Sequence, residues 1–464
     1  MTTAPGPDTV VSRNPADPAD LVLTVPSAGA DGVRAAVAAA RTAAGPWARA
    51  GAAARATALH TAARRLEDAA EELAALVRRE VGKPVTEARG EVARTVAVLR
   101  YYAQAPYEPV GAVHEPAAGE GLLLTRRTPY GVAGLVTPWN FPLAVPVWKA
   151  APALATGNAV VLKPAPPATA CALRLAELLG GALPDGLFTV VPGGAGEGAA
   201  LVGAADVVSF TGSTAAGRTV VRAATDRGLP VQAEMGGQNA ALVLPDADPG
   251  AAADQIALAL AGYAGQKCTA TRRIIVVGDG APLAEALVAR LAALRTGDPG
   301  DPETVCGPLI SAGARDRVLA APSGGRVLSG GAAPAGLDGW YALPTLVDRL
   351  PAGHRLATEE VFGPVAALFP VPDPEAAVAL ANAVPYGLVA SVHTTDLDAA
   401  LRCADRLDTG LVRINAPTTG VDFHLPFGGA KASGHGPREQ GKAALEFYTR
   451  TRTVSLMSSG HQAG

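Results

Sequence analysis

Cys268 stands in the stretch GYAGQKCTATRR, residues 262–273, and Glu234 lies 34 positions before it (268 − 234). A thiol and a carboxylate are the two parts of nucleophilic catalysis assisted by a general base. A free cysteine alone is more often a small buried hydrophobe. Glu234 interrupts an apolar run in QAEMGGQNA (232–240) just before Gly236-Gly237. Partial desolvation there would raise its pKa toward that of a useful base; a strand glutamate facing water is the plainer alternative. Asn140 sits between Trp139 and Phe141 in TPWNFP (137–142). Its amide can donate to a developing oxyanion, although asparagine is also an ordinary turn residue.

Two more stretches suit a phosphate-bearing ligand. SFTGSTAAGR (209–218) reads as a strand, a glycine turn and a helix start. A helix start offers free N–H groups and partial positive charge to a pyrophosphate. Gly212 and Gly217 do not follow the G-x-G-x-x-G spacing, so a plain strand-to-helix turn explains them equally well. VLKPAPPAT (161–169) puts Lys163 at a strand's carboxyl end, facing a ribose, a phosphate or only water.

The elements that must position these residues follow from periodicity. Residues 29–105 carry helical spacing, with 58–82 reading as one amphipathic helix closed by Gly82 and Pro84. From residue 130 short apolar strands alternate with helices: strands at 130–138, 158–164, 187–193, 206–212 and 230–235, helices at 144–157, 168–181 and 213–228. This alternation predicts a parallel, doubly wound sheet, whose ligands bind outside the carboxyl ends of strands. A second βα-rich stretch follows, with a helix over 245–265 running toward Cys268, a strand at 272–277 and a helix at 281–297. The Gly-, Pro- and Ala-rich segment 320–343 reads as loops.

The chain has 464 residues, 49% hydrophobic and 17% charged, with net charge −3. That length implies two or three domains, and the balance gives no electrostatic footprint for nucleic acid. Four cysteines (171, 268, 306, 403) without a Cys-x-x-Cys, and seven histidines without zinc-ligand spacing, predict neither a disulfide framework nor a metal site. The polar N-terminus MTTAPGPDTVVSRNPADPAD lacks the apolar core of a signal peptide, and no 18-residue apolar run predicts a membrane span. A cytoplasmic protein is expected.

Taken in order, TPWNFPL, ATGNAVVLKP, FTGSTAAGR, AEMGG, GQKCTA, EEVFGPV (359–365), YGL (386–388) and PFGGAKASGHGPREQG (426–441) resemble the aldehyde dehydrogenase superfamily over nearly the whole chain. The resemblance implies an α/β fold: a Rossmann-type cofactor domain (1–106 and 130–235), an α/β catalytic domain (236–446) and a small β oligomerisation arm (107–129 and 447–464). It implies Cys268 as nucleophile, Asn140 as oxyanion donor, Glu234 as base, and Lys149 with Glu439 as a proton-transfer pair. Trp139, Lys163, Gly212, Ser213, Gly217, Glu360 and Phe362 would bind a nicotinamide dinucleotide. Pro166 stands where many relatives carry a ribose-binding glutamate, so NADP is expected to be accepted alongside NAD. Phe141, Trp148, Phe423, His424 and Phe427, with Asp422, would face the substrate.

The pattern most resembles the branch acting on α-ketoglutaric and other small semialdehydes. The implied activity is oxidation of an aldehyde to the acid through a cysteine thiohemiacetal and thioester, in a homodimer or homotetramer. A CoA-acylating semialdehyde dehydrogenase and a catalytically silent member of the fold are the alternatives. Two departures stand out. Gly236-Gly237-Gln238 replaces the usual Gly-Gly-Lys, and the segment after 307–319 is short.

Overall fold

The computed structural model describes residues 8–457. The first seven residues of the N-terminal stretch, and residues 458–464 of the expected arm, lie outside the described residues. Two sheets organise the chain. The first has six strands in the spatial order Gly434–His435, Val231–Glu234, Val207–Thr211, Val132–Thr137, Ala159–Pro164 and Phe188–Val190. All neighbours are parallel except Gly434–His435, which pairs antiparallel with Val231–Glu234. Val132–Thr137 and Ala159–Pro164 are buried at every position, as expected for strands covered by helices on both faces. The strand order reverses between Val132–Thr137 and Val207–Thr211. In such sheets that crevice is the ligand site.

One continuous core joins this sheet to the N-terminal helices Gly29–Arg49, Ala52–Asp68, Ala70–Val81 and Val85–Tyr102. The helix expected over 58–82 is broken at Ala69 (φ −96°, ψ 15°). The break starts a new helix whose first turn holds Glu71 and Glu72, where carboxylates favour a helix N-terminus. Such a break leaves the apolar period almost intact and is therefore invisible to it.

The second sheet has seven strands, Arg326–Ser329, Thr345–Asp348, Val365–Val371, Thr271–Val277, Asn239–Val243, Val389–His393 and Leu411–Ile414. Helices Pro249–Ala261 and Ala281–Ala293 cover one face, Pro374–Asn382 and Leu397–Arg406 the other. Arg326–Ser329 corrects the reading of 320–343 as loops alone: RVLS adds to the sheet edge antiparallel to Thr345–Asp348. A three-stranded sheet of Gly111–His114, Leu122–Pro129 and Thr449–Leu456 stands apart and leaves Val113, Leu122 and Leu456 exposed. Among the described residues no helix is long and apolar enough to cross a membrane.

Candidate active site

A cavity of about 1190 Å³ lies between the two large sheets. Thr137, Thr211 and Glu234, each the last residue of its strand, bring the carboxyl ends of the first sheet to it. The second sheet contributes its amino ends. Cys268 precedes the strand that starts at Thr271, Leu388 the one at Val389, and Glu360 to Phe362 the one at Val365.

Cys268 alone of the four cysteines lines the cavity; Cys171, Cys306 and Cys403 are buried elsewhere. Burial, with Glu360 and Glu234 nearby, pushes its thiol up to about 12, so the resting thiol holds its proton. The helix before it ends at Ala261, not near 265, because Tyr263 and Ala264 take left-handed backbone angles (φ 53° and 52°). That turn aims the following loop at the cavity. The loop is then tied down by side chains. The Asn140 amide donates to the Gln266 carbonyl at 2.9 Å, which leaves its second N–H available to a ligand. The Asn239 amide donates to the carbonyls of Cys268 (2.7 Å) and Ala270 (2.9 Å). The Gln266 amide donates to the Pro308 carbonyl at 3.1 Å.

Glu234 does not face water: it is 4% exposed and accepts from the Gly429 N–H at 3.0 Å. Burial first, then the Glu439 carboxylate, holds its pKa well above the ordinary value. A Cβ on Gly428 would lie 2.4 Å from the Glu234 carboxylate, so that glycine makes its space. Lys149 and Glu439 form a buried ion pair behind Glu234 rather than on the cavity wall. The Lys149 ammonium also donates to Ser209 Oγ at 2.8 Å, and the Trp148 indole donates to Glu439 at 2.7 Å. Burial lowers the Lys149 pKa against the pull of Glu439.

Glu360 accepts from the Gly237 N–H at 3.2 Å, and burial pushes its carboxyl up to about 7 against the opposing pull of Arg272. Phe362 meets Trp139 edge to face at 5.8 Å. At the far end Lys163 donates to the carbonyls of Pro164 (2.7 Å) and Gly193 (3.2 Å), and burial lowers its pKa to about 8. Gly212, Ser213 and Pro166 line the same end, where Ser213 caps the helix Thr214–Thr225 by accepting from the Ala216 N–H at 3.4 Å. The hydroxyls of Thr137 and Thr211 are buried at the strand ends without a protein partner. A helix start, a lysine and two unsatisfied hydroxyls in one elongated cleft fit a ligand of pyrophosphate and ribose units.

Four expected contacts, Gly217, Asp422, Phe423 and His424, are not brought to this cavity, and Asp422 is exposed. Gly217 is absent from its wall and serves packing, since a Cβ there would lie 2.5 Å from Met235 Sδ. Phe423 instead packs edge to face on Tyr101 at 5.8 Å, in a separate groove of the helix Val85–Tyr102. The apolar Tyr101 ring draws it away, and His424 follows it outward, exposed. Phe141, Trp148 and Phe427 do line the cavity.

The cavity wall also holds Glu87, Glu91 and Arg94, which sequence reading passed over, with Lys83 buried behind them. Buried Lys83 pairs with Glu91 and sits 3.8 Å over the Phe141 ring, while Glu91 accepts from the Leu143 and Ala144 N–H groups at 2.9 and 3.0 Å. Glu87 pairs with Lys267 at 2.7 Å. Arg94 completes the row. The signal for them is the spacing 87, 91, 94 on one helix face.

Comparison with protein families matches residues 2–454 to the Aldehyde dehydrogenase family. The alpha-ketoglutaric semialdehyde dehydrogenase of Bacillus subtilis is 40% identical over 460 residues, 96% of this chain and 94% of the relative. Among solved structures, an NAD-dependent aldehyde dehydrogenase from Sinorhizobium meliloti superposes with TM-score 0.94 at 35% identity, covering 100% of this chain and 94% of that one. PnpE in complex with nicotinamide adenine dinucleotide superposes with TM-score 0.92 at 38% identity, covering 98% and 96%. With the family model matching residues 2–454 and these relatives alike over almost the full length of the chain, the chain belongs to the aldehyde dehydrogenase family.

Proposed function

We propose that this enzyme oxidises an aldehyde to its carboxylic acid with a nicotinamide dinucleotide, using Cys268 as nucleophile and Glu234 as base. The observation that carries the assignment is the pairing in one cavity of the single lining cysteine with a buried carboxylate of raised pKa. Cys268 Sγ loses its proton to solvent water as it attacks the aldehyde carbon. Asn140 Nδ2 and the Cys268 backbone N–H stabilise the oxyanion of the thiohemiacetal. The dinucleotide, bound along Lys163, Ser213, Glu360 and Phe362, supplies the hydride acceptor. Glu234 then takes a proton from water, which hydrolyses the thioester, and the Lys149–Glu439 pair behind it accepts the charge change.

The adenosine end of the cleft has no carboxylate on its wall. Pro166 is there, and Glu197 is turned away to Ser27 Oγ (2.5 Å) and the Gly194 N–H (2.7 Å). Among the described residues no carboxylate lines that end to meet a 2′-phosphate directly, so acceptance of NADP with NAD is part of the proposal. The semialdehyde relative supports a small semialdehyde as substrate. The exposed apolar residues of the three-stranded arm support a homodimer or homotetramer, since an open strand edge needs cover. Four unpaired cysteines suit a reducing, cytoplasmic setting.

Rapid mixing with aldehyde and NAD tests the two central roles. Cys268→Ala loses the burst of reduced cofactor and all but about 10⁻⁴ of turnover. Glu234→Gln keeps the burst, while its steady-state rate falls by about 10²–10⁴-fold. Loss of the burst in Glu234→Gln would move that residue from hydrolysis to the first half-reaction.

A further inference from the structure

Lys83 and Glu91 form an enclosed ion pair, with side chains 1% and 0% exposed. No step of the proposed oxidation uses either group, yet both touch the segments that carry the oxyanion donors. Glu91 Oε1 accepts from the Leu143 and Ala144 N–H groups at 2.9 and 3.0 Å, where the helix Ala144–Ala155 starts just after Asn140. Lys83 Nζ lies 3.8 Å from the ring centroid of Phe141, the residue next to Asn140, and 4.7 Å from that of Tyr263. Tyr263 is the first of the two left-handed residues that turn the chain toward Cys268. The other ionic groups acting on Lys83 are Glu87 and Lys267, which bond to each other at 2.7 Å.

The helix Ala144–Ala155 has Leu143 at its N-cap, a side chain that cannot cap it. The Glu91 carboxylate satisfies its first N–H groups from outside and meets the positive end of its dipole. An ammonium out of water attracts the faces of both aromatic rings more strongly than an exposed one does. The pair thus fastens the segment around Asn140 and the turn before Cys268 to one point. We propose that Lys83 and Glu91 are positioning residues for the oxidation, holding the Asn140 amide against the Cys268 loop at the spacing the oxyanion needs. The proposal rests on the assignment of Asn140 and Cys268 and adds the pair that sets their geometry.

Removing one charge strands the other in the interior, so the test neutralises both, combining Lys83→Met with Glu91→Gln, and compares Lys83→Arg. Rapid mixing with aldehyde and NAD reads the burst rate, while thermal melting and NAD binding report on the fold. The neutral pair is expected to slow the burst by about 10–100-fold with KM for NAD little changed. Lys83→Arg, which keeps the charge, recovers most of the rate. The neutral pair is then placed in Asn140→Ala, where it should slow the burst by less than about threefold more, because the donor it positions is gone. Should the neutral pair not fold, Glu91→Gln alone, which keeps an oxygen toward Leu143 and Ala144, carries the same cycle with a several-fold loss expected. An unchanged burst in a folded variant, or a loss of equal size with and without the Asn140 amide, overturns the positioning role while the oxidation chemistry stands. A burst undiminished in Asn140→Ala itself overturns the underlying assignment instead.

Discussion

The two ends of the cavity are held in different ways. Around Cys268, buried amides and a buried guanidinium grip backbone carbonyls: Asn140 on Gln266, Asn239 on Cys268 and Ala270, and Arg272 on Gly265 and Gly363. At the end lined by Lys163 and Pro166 the wall is mostly Gly, Ala, Pro and Val, and its cap, Ser213, is a long 3.4 Å contact. The first end is preorganised, which is what a developing oxyanion requires, because donors already in place need no reorganisation during the reaction. The second offers shape and helix-start N–H groups, enough to bind a long ligand. Substitutions should therefore act on turnover at one end and on cofactor affinity at the other.

Asn140→Ala should show the contrast most strongly. It removes the proposed oxyanion donor and the tether of Gln266, and kcat should fall by about 10²–10³-fold. Steady-state kinetics should find KM for NAD changed by only a few fold; a comparable rise in that KM would erase the distinction between the ends. Glu439→Gln should sharpen it through pH. As the proposed base Glu234 must be deprotonated, so hydrolysis should be lost as pH falls through its raised pKa. Removing the Glu439 charge takes away one cause of that rise, and the acid limb of the kcat profile should move to lower pH. A limb that stays in place, or moves up, would separate the Lys149–Glu439 pair from the base. The smallest effect is expected at the open end. Pro166→Glu places a carboxylate near the position of a 2′-phosphate and should lower the NADP-to-NAD ratio of kcat/KM by about tenfold, with little change in kcat for NAD.

The legibility of the chain divides along similar lines. The five parallel strands of the first sheet could be read because each is a short apolar run bounded by turn residues, whereas Gly434–His435 is two residues of no apolar pattern. That Cys268, Glu234 and Asn140 meet in one cavity could be expected because the motifs around them resemble one family's, in order. Features made by long-range packing could not. The left-handed turn at Tyr263 and Ala264 sits in a stretch whose apolar period continues the helix, and only burial of the Tyr263 ring, with its hydroxyl donating to the Val81 carbonyl at 3.0 Å, makes the turn. Phe423 looked like a substrate contact until Tyr101 supplied a nearer partner. Arg94 was hidden for the opposite reason. An arginine on an amphipathic helix reads as solvated, and its lack of a partner appears only when Lys83 and Lys267 are seen to occupy the carboxylates beside it.

Gly265 has φ +63°, and a Cβ there would lie 2.5 Å from the Gly363 carbonyl oxygen. The loop bearing Cys268 and the loop bearing Glu360 thus meet backbone to backbone, with Arg272 bridging both. Such a junction leaves almost no room for inherited change. Arg94 and Pro166 belong to other elements. Descendants of this sequence can therefore exchange one aldehyde or one dinucleotide for another by altering those outer walls, while the reaction itself passes unaltered from one lineage to the next.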